Sequence, residues 1–287
     1  MSKTAKEFVV AAVQASALGN QESTLSSVAL QVVEAARLDA NIVVLPEYFT
    51  CPRGFTDIRE YAEPLDGSGR TFSLISSLAQ SLGVYIIAGT IPEIENGAYY
   101  NTCCLFNRNG DLVGKYRKKY RLTVLGELLP NETQVAFDVN EPVIFRTEFV
   151  DIGIGTGNDI HLPQLALTYA AAGCQMLVYC STFDGSFSSS HWTLLGQGRA
   201  LDSLSYVVVC SARPPADAPE EMRVRSAIMN PWGDCVRSAK DKDEVICEKF
   251  CPALVQNARK CMPILESRRS DIYKKGFEIH PTIVGNR

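Results

Sequence analysis

Short, almost wholly apolar runs alternate along this chain with longer segments of helical period, and that order constrains the fold more than any other feature. Residues 8–14 (FVVAAVQ) read as a strand, residues 25–38 carry apolar side chains at helical spacing, and 41–45 (NIVVL) form a second buried run ending at Pro46. Residues 70–82 predict a helix and 84–90 (VYIIAGT) a third strand. Residues 99–106 and 112–117 alternate around Asn109-Gly110, a dipeptide of tight hairpin turns. The second half repeats the order, with strands at 149–155, 176–179 and 206–212 and helices at 163–172 and 191–204. Residues 224–230 and 234–238 flank the turn Pro231-Trp232-Gly233, and a short helix over 251–260 precedes a polar tail. Strands alternating with helices and interrupted by hairpins predict an α/β protein with mixed sheets, for which a four-layer α-β-β-α sandwich fits the order. No Pro/Ser/Gly-rich linker divides residues 1–287, so one large domain is expected rather than the two that length alone permits.

Composition narrows the function classes. Lysines and arginines number 28 against 32 aspartates and glutamates, a net charge of −4, and the basic residues form only short groups such as 115–119. Neither a nucleic-acid partner nor an anionic membrane surface fits that balance. No apolar run reaches the roughly 18 residues of a membrane span. Residues 1–7 are polar and lack a secretory signal core, which predicts a reducing, cytoplasmic setting for the ten cysteines. With no Cys-x-x-Cys pair and three histidines there is little from which to build a zinc site, and no metal or other cofactor is expected. Several cysteines sit inside apolar runs, where a thiol packs as a small hydrophobe. Cys103 and Cys104 are neighbours on one strand and are expected to face opposite sides.

Ligands of α/β folds collect at the carboxyl ends of strands. Those ends deliver Glu47, Lys118, the run Gly157-Asn158-Asp159, and the run Cys180-Ser181-Thr182-Phe183. A carboxylate and a lysine meeting at one edge make a proton-transfer and oxyanion pair. Taken singly, Glu47 reads as a loop carboxylate capping a backbone N–H and Lys118 as a solvated member of a basic patch. Their sequence spacing does not choose between these meanings.

Eight segments do. They are 9–14 (VVAAVQ), 44–47 (VLPE), 114–118 (GKYRK), 152–155 (IGIG), 173–179 (GCQMLVY), 191–195 (HWTLL), 230–233 (NPWG) and 268–273 (RRSDIY). In this order, over residues 8–273, the chain resembles the nitrilase superfamily of carbon–nitrogen hydrolases, nearest its omega-amidase-like branch. The resemblance implies an α-β-β-α sandwich and a Glu–Lys–Cys set that hydrolyses amides or nitriles. It places Glu47 on the general base and Lys118 on the lysine that stabilises the tetrahedral intermediate. Glu127 is the nearest match to a second glutamate supporting that lysine, although its spacing to Pro130 differs from the family's. The family also pairs through the helices that here fall at 163–172 and 191–204, which implies a homodimer.

At the nucleophile the resemblance breaks. The family's Gly-Ile-Cys-Tyr-Asp-Ile-Arg-Phe-Pro-Glu-Leu corresponds to Gly155-Thr156-Gly157-Asn158-Asp159-Ile160-His161-Leu162-Pro163-Gln164-Leu165, so Gly157 stands where the cysteine is expected. Loss of the nucleophile from a comparable acyl-transfer set costs on the order of 10⁶ in turnover, roughly 8 kcal/mol of barrier lowering. The expectation is a family member inactive as a thiol amidase and retained to bind a small amide or carboxylate, or for assembly. Three substitutes stay open: Thr156, expected to face away from Glu47; Cys180, whose thiol near Lys118 would have a lowered pKa; and water activated by Glu47 in the space that Gly157 leaves. His161 is expected to take the structural place of the family's arginine, and His191 and Trp192 to pack.

Overall fold

The computed structural model describes residues 6–52, 54–120, 123–124, 127–128, 133–136, 141–181, 189–220, 223–269 and 281–285. The Thr182-Phe183 pair, the Ser270–Tyr273 part of the last motif and the side chain of Glu127 lie outside the described residues.

Sequence-adjacent apolar strands build two mixed sheets. The first contains β1 (Phe8–Gln14), β2 (Ile42–Val44), β3 (Tyr85–Ile87), β4 (Ile91–Glu95), β5 (Ala98–Phe106), β6 (Leu112–Arg117) and β15 (Glu244–Phe250). Its order is β15-β1-β2-β3-β5-β4, with β6 also paired to β5. β7 (Thr123–Val124) and β8 (Glu127–Leu128) pair with each other and with neither large sheet. The second sheet contains β9 (Val143–Arg146), β10 (Asp151–Thr156), β11 (Met176–Cys180), β12 (Tyr206–Cys210), β13 (Ala227–Met229), β14 (Cys235–Ser238) and β16 (Thr282–Val284). Its order is β14-β13-β12-β11-β10-β9-β16. At the centre of each sheet the strands run parallel, β1-β2-β3 in one and β10-β11-β12 in the other.

Alternation along these central strands explains why they read as continuous apolar runs. Val10, Ala12, Ile42 and Val44 face the space between the sheets, where Ile152, Ile154, Val178 and Val208 meet them. Ala11, Val13, Val43 and Leu45 face the other way, against the inner faces of α1 (Gln21–Arg37) and α2 (Arg70–Leu82). The second sheet repeats this: Leu177, Tyr179, Val207 and Val209 pack beneath α3 (Pro163–Ala171) and α4 (Ser189–Ser203). Both faces of the central strands are buried, as parallel strands require, and each such Val, Ile or Leu contributes about 1.5–3 kcal/mol. The layers are helix, sheet, sheet and helix, the predicted fold class.

Boundaries move for local reasons. The first helix begins at Gln21 because the Asn20 side chain accepts the Ser23 N–H at 2.8 Å, earlier than apolar spacing alone places it. The third strand stops at Ile87 because Gly89 adopts φ +42 and passes so close to Pro46 that a Cβ would lie 1.8 Å from its carbonyl oxygen. The last helix, α5 (Pro252–Cys261), follows β15 directly. All ten cysteines are free thiols. Among the described residues no helix is long and apolar enough to cross a membrane, and no cluster of three metal-ligating side chains occurs.

Candidate functional site

Glu47 emerges from the turn after β2, where Leu45 and Pro46 hold the backbone against Gly89 and Thr90. Tyr48 adopts φ +49, a left-handed conformation costly for a bulky residue, and its N–H is fixed by Thr90 Oγ1 at 2.8 Å. That backbone aims the Glu47 carboxylate inward, where the residue is 2% exposed. Lys118, 6% exposed, follows β6, and its backbone N–H donates to the Asn101 carbonyl at 2.8 Å. Its Nζ lies 3.5 Å from Glu47 Oε1. The structure therefore brings the two predicted charged residues together across 71 positions of sequence.

Asn101, on β5, holds both partners. Its carbonyl fixes the Lys118 backbone and its Nδ2 donates to Glu47 Oε1 at 2.8 Å. Sequence reasoning missed this residue. The available signal was an asparagine inside a mostly apolar strand, since a buried amide demands partners.

Gly157 directly follows β10 and has φ +55. It starts a 3-10 turn over Gly157–His161, with Asp159 fixed by its neighbours: Asp159 Oδ2 accepts from the Thr156 N–H at 2.8 Å and from the Tyr116 hydroxyl at 2.7 Å. A Cβ built on Gly157 would lie 2.6 Å from Lys118 Nζ, 2.7 Å from Lys118 Cε and 2.9 Å from Glu47 Oε1. The acid and the cation thus converge on this one backbone position. Both also lie within the space that a side chain at Gly157 would take, where the expectation placed a water beside Glu47.

Thr156 is a correction. Its Oγ1 lies 3.5 Å from Glu47 Oε1, so it faces the carboxylate and not away from it. Simple alternation assigns neighbouring residues to opposite faces, but only while the backbone stays extended. Thr156 is the last extended residue and shares the inner face with Ile152 and Ile154, whereas Gly157 has already turned into the left-handed region.

Cys180 provides a second. It pairs in register with Thr156 and is wholly buried between the sheets. Burial raises its thiol pKa well above the ordinary value, and a hydrogen bond with Cys103 together with the Cys103 and Glu47 charges acts in the same direction. The expected lowering does not prevail, and the thiol stays protonated at neutral pH. Cys103 shares this inter-sheet core while Cys104 faces the helices. His161 is half-buried, and burial, followed by the charges of Arg199 and His191, pushes its pKa down, leaving a neutral ring. His191 is exposed, while Trp192 is buried and donates to the Arg225 carbonyl at 2.9 Å. Glu127 lies on β8, which pairs with β7 and with neither large sheet. A cavity of about 260 Å³ adjoins Glu47 and is lined from the segments following β1, β2 and β12.

Two mixed sheets faced by helices, with these strand ends meeting at one edge, define an α/β sandwich of nitrilase type. The carbon–nitrogen hydrolase family model matches residues 9–260, and the chain belongs to that family. Its similarity runs to omega-amidases: omega-amidase NIT2 of Danio rerio is 32% identical over 269 residues, 93% of this chain and 96% of that protein. Omega-amidase NIT2 of Homo sapiens is 33% identical over 242 residues, 84% of this chain and 87% of that protein. Among solved structures, Saccharomyces cerevisiae Nit3, a member of branch 10 of the nitrilase superfamily, superposes with a TM-score of 0.83 at 27% identity, covering 93% of this chain and 99% of that one.

Proposed function

We propose that this chain is a carbon–nitrogen hydrolase homologue without the catalytic cysteine, retained to bind a small amide or carboxylate ligand and to assemble as a homodimer. One observation carries it: the Cβ direction of Gly157 runs straight at Lys118 Nζ and Glu47 Oε1, yet glycine offers no group to attack a carbonyl. Glu47 and Lys118 keep the charges that orient an amide, but a thioester needs sulfur. Cys180, buried and protonated, is a poor substitute, because the thiolate is the nucleophile. Ten free thiols suit a reducing, cytoplasmic setting.

Assayed on small carboxamides, the purified protein is expected to turn over on the order of 10⁶ more slowly than a cysteine amidase of the same fold. Mass spectrometry after exposure to a reactive ester is expected to find no acyl adduct. Ordinary turnover, or an adduct on a side chain lining the cleft, overturns the proposal. Residual hydrolysis lost in Glu47→Gln but kept in Cys180→Ala would instead mark a water route.

Assembly is proposed through α3 and α4, which pack side by side on the second sheet. Leu194 and Leu201, seven residues apart on α4 and so on one helix face, are 61% and 44% exposed. Light scattering is expected to give the mass of two chains at micromolar concentration, and a clean monomer would refute it.

A further inference from the structure

We propose that Gly114 and Val284 are positioning residues: β16 straps the inner face of β6 to the second sheet, and through β6 it sets the place of Lys118. The inference concerns the Glu47–Lys118 pair itself and holds whether that pair binds an amide or hydrolyses one. Among the described residues β6 pairs with β5 alone, so sheet hydrogen bonds fix it along one edge. Its distance from the second sheet is set by what its faces touch.

Alternation divides those faces. Lys115 and Arg117 point outward onto the buried Glu93, at 2.6 and 2.7 Å. Gly114, Tyr116 and Lys118 take the inner side, and each meets a different part of the second sheet. The Tyr116 hydroxyl donates to Asp159 Oδ2 at 2.7 Å, and Lys118 Nζ stands 2.6 Å from the Cβ position of Gly157. Over Gly114 lies Val284 of β16: a Cβ built there would be 2.6 Å from Val284 Cγ2 and 3.0 Å from both its Cβ and its Cγ1. Stacked sheets keep about 10 Å between them because side chains from both fill the gap. A residue without a side chain lets them converge at this edge, with Val284 seated against bare backbone. Val284 has little freedom to yield. It is β-branched and stiff at χ1. Its strand pairs in parallel along β9 from Thr282↔Val143 to Val284↔Phe145, and the Thr282 N–H donates to the Pro142 carbonyl at 2.6 Å. Ile283, between them, pairs with Ile144 on the opposite face and is 48% exposed. A methyl group added at position 114 must therefore push β6 off the second sheet, and Lys118 with it.

A thiol at position 157 reports where Lys118 stands, because an adjacent ammonium favours the thiolate. In the Gly157→Cys protein, alkylation of that cysteine by iodoacetamide is followed against pH by peptide mass spectrometry, which separates it from the ten native cysteines. Adding Gly114→Ala is expected to raise the midpoint by about half a pH unit, the effect of a retreat of about 1 Å at an effective dielectric constant of about 20. Combining Gly114→Ala with Val284→Ala, which gives the room back, is expected to return the midpoint, and Ile283→Ala to leave it unmoved. Circular dichroism establishes that each variant is folded. Where Gly157→Cys does not fold, reductive methylation of Lys118 in the protein with Gly157 intact takes its place, with a rate expected to rise at least about 3-fold in Gly114→Ala and to fall back in the double variant. An unmoved midpoint or rate, failure of Val284→Ala to restore it, or an equal shift from Ile283→Ala overturns the assignment. None of these measurements reads turnover or ligand binding, so their failure is distinct from failure of the function proposed above.

Discussion

Gly157→Cys is expected to raise carboxamide hydrolysis by at least about 100-fold over the unaltered protein, the recoverable part of the ~10⁶ that a missing nucleophile costs. The position is favourable: a side chain there enters between Lys118 Nζ and Glu47 Oε1, whose distances to the ideal Cβ are 2.6 and 2.9 Å. An adjacent ammonium favours the thiolate, so the new cysteine should be alkylated by iodoacetamide well below pH 8.5. Two costs oppose full recovery. Lys118 must retreat, which the end of a flexible side chain does easily, and a non-glycine residue at φ +55 costs about 1–2 kcal/mol. The variant is therefore expected to be more active and less stable. Asn158, His161 and Gln164 also differ from the family's pattern, so activity should stay short of a natural amidase. A folded variant whose cysteine alkylates readily but hydrolyses nothing would mean that the site has lost more than its nucleophile.

Protein stability should fall as pH rises from about 4 to 7, by on the order of 3 kcal/mol, through Asp159 alone. Asp159 is fully buried, and burial raises its carboxyl pKa to about 6 despite the hydrogen bonds from Tyr116 and the Thr156 N–H and the charge of Lys118; the Glu47 charge adds to the rise. Below the unfolded value near 3.8 both states are protonated and the contribution is complete. Between that value and about 6 only the folded state holds the proton, so each increment of pH favours unfolding. Above the folded value the contribution is gone. Other carboxylates work in the opposite sense: the Arg225 and Arg223 side chains hold Asp241 down at about 2. The measurement is accordingly a difference, urea unfolding of the unaltered protein against Asp159→Asn from pH 4 to 7. Asparagine keeps an oxygen to accept from Tyr116 and Thr156 but cannot ionise. The variant should gain relative stability as pH rises, and a difference that stays flat refutes the assignment.

How far the fold was legible depends on where each strand sits in its sheet. The central strands announce themselves because both their faces are buried. The edge strands do not: β4 (IPEIE) and β15 (EVICEKF) mix charges with apolar residues, and β15 pairs antiparallel along the whole of β1 from more than two hundred residues away. A local window contains no information about such a partner. Likewise β9 and β16 are short and pair only where the second sheet ends.

The same division runs through the site. Glu47, Lys118 and Gly157 were placed by motifs, and motifs record residue type and order. Asn101 was missed because its work is split between a side chain holding Glu47 and a carbonyl holding Lys118, contacts between segments distant in sequence. Thr156 was assigned the wrong face because one left-handed glycine ends the alternation on which that assignment depends.

The sequence by itself determined the layered α/β class and the residue types at the strand ends, because hydrophobic period and covalent order are local properties. Only the tertiary structure decided that Lys118 lies within the space over Gly157, that Thr156 faces Glu47 and that Cys180 is sealed beside Cys103. Those outcomes depend on how two sheets stack face to face, and stacking is fixed by non-local packing at a density that leaves each side chain one place to go.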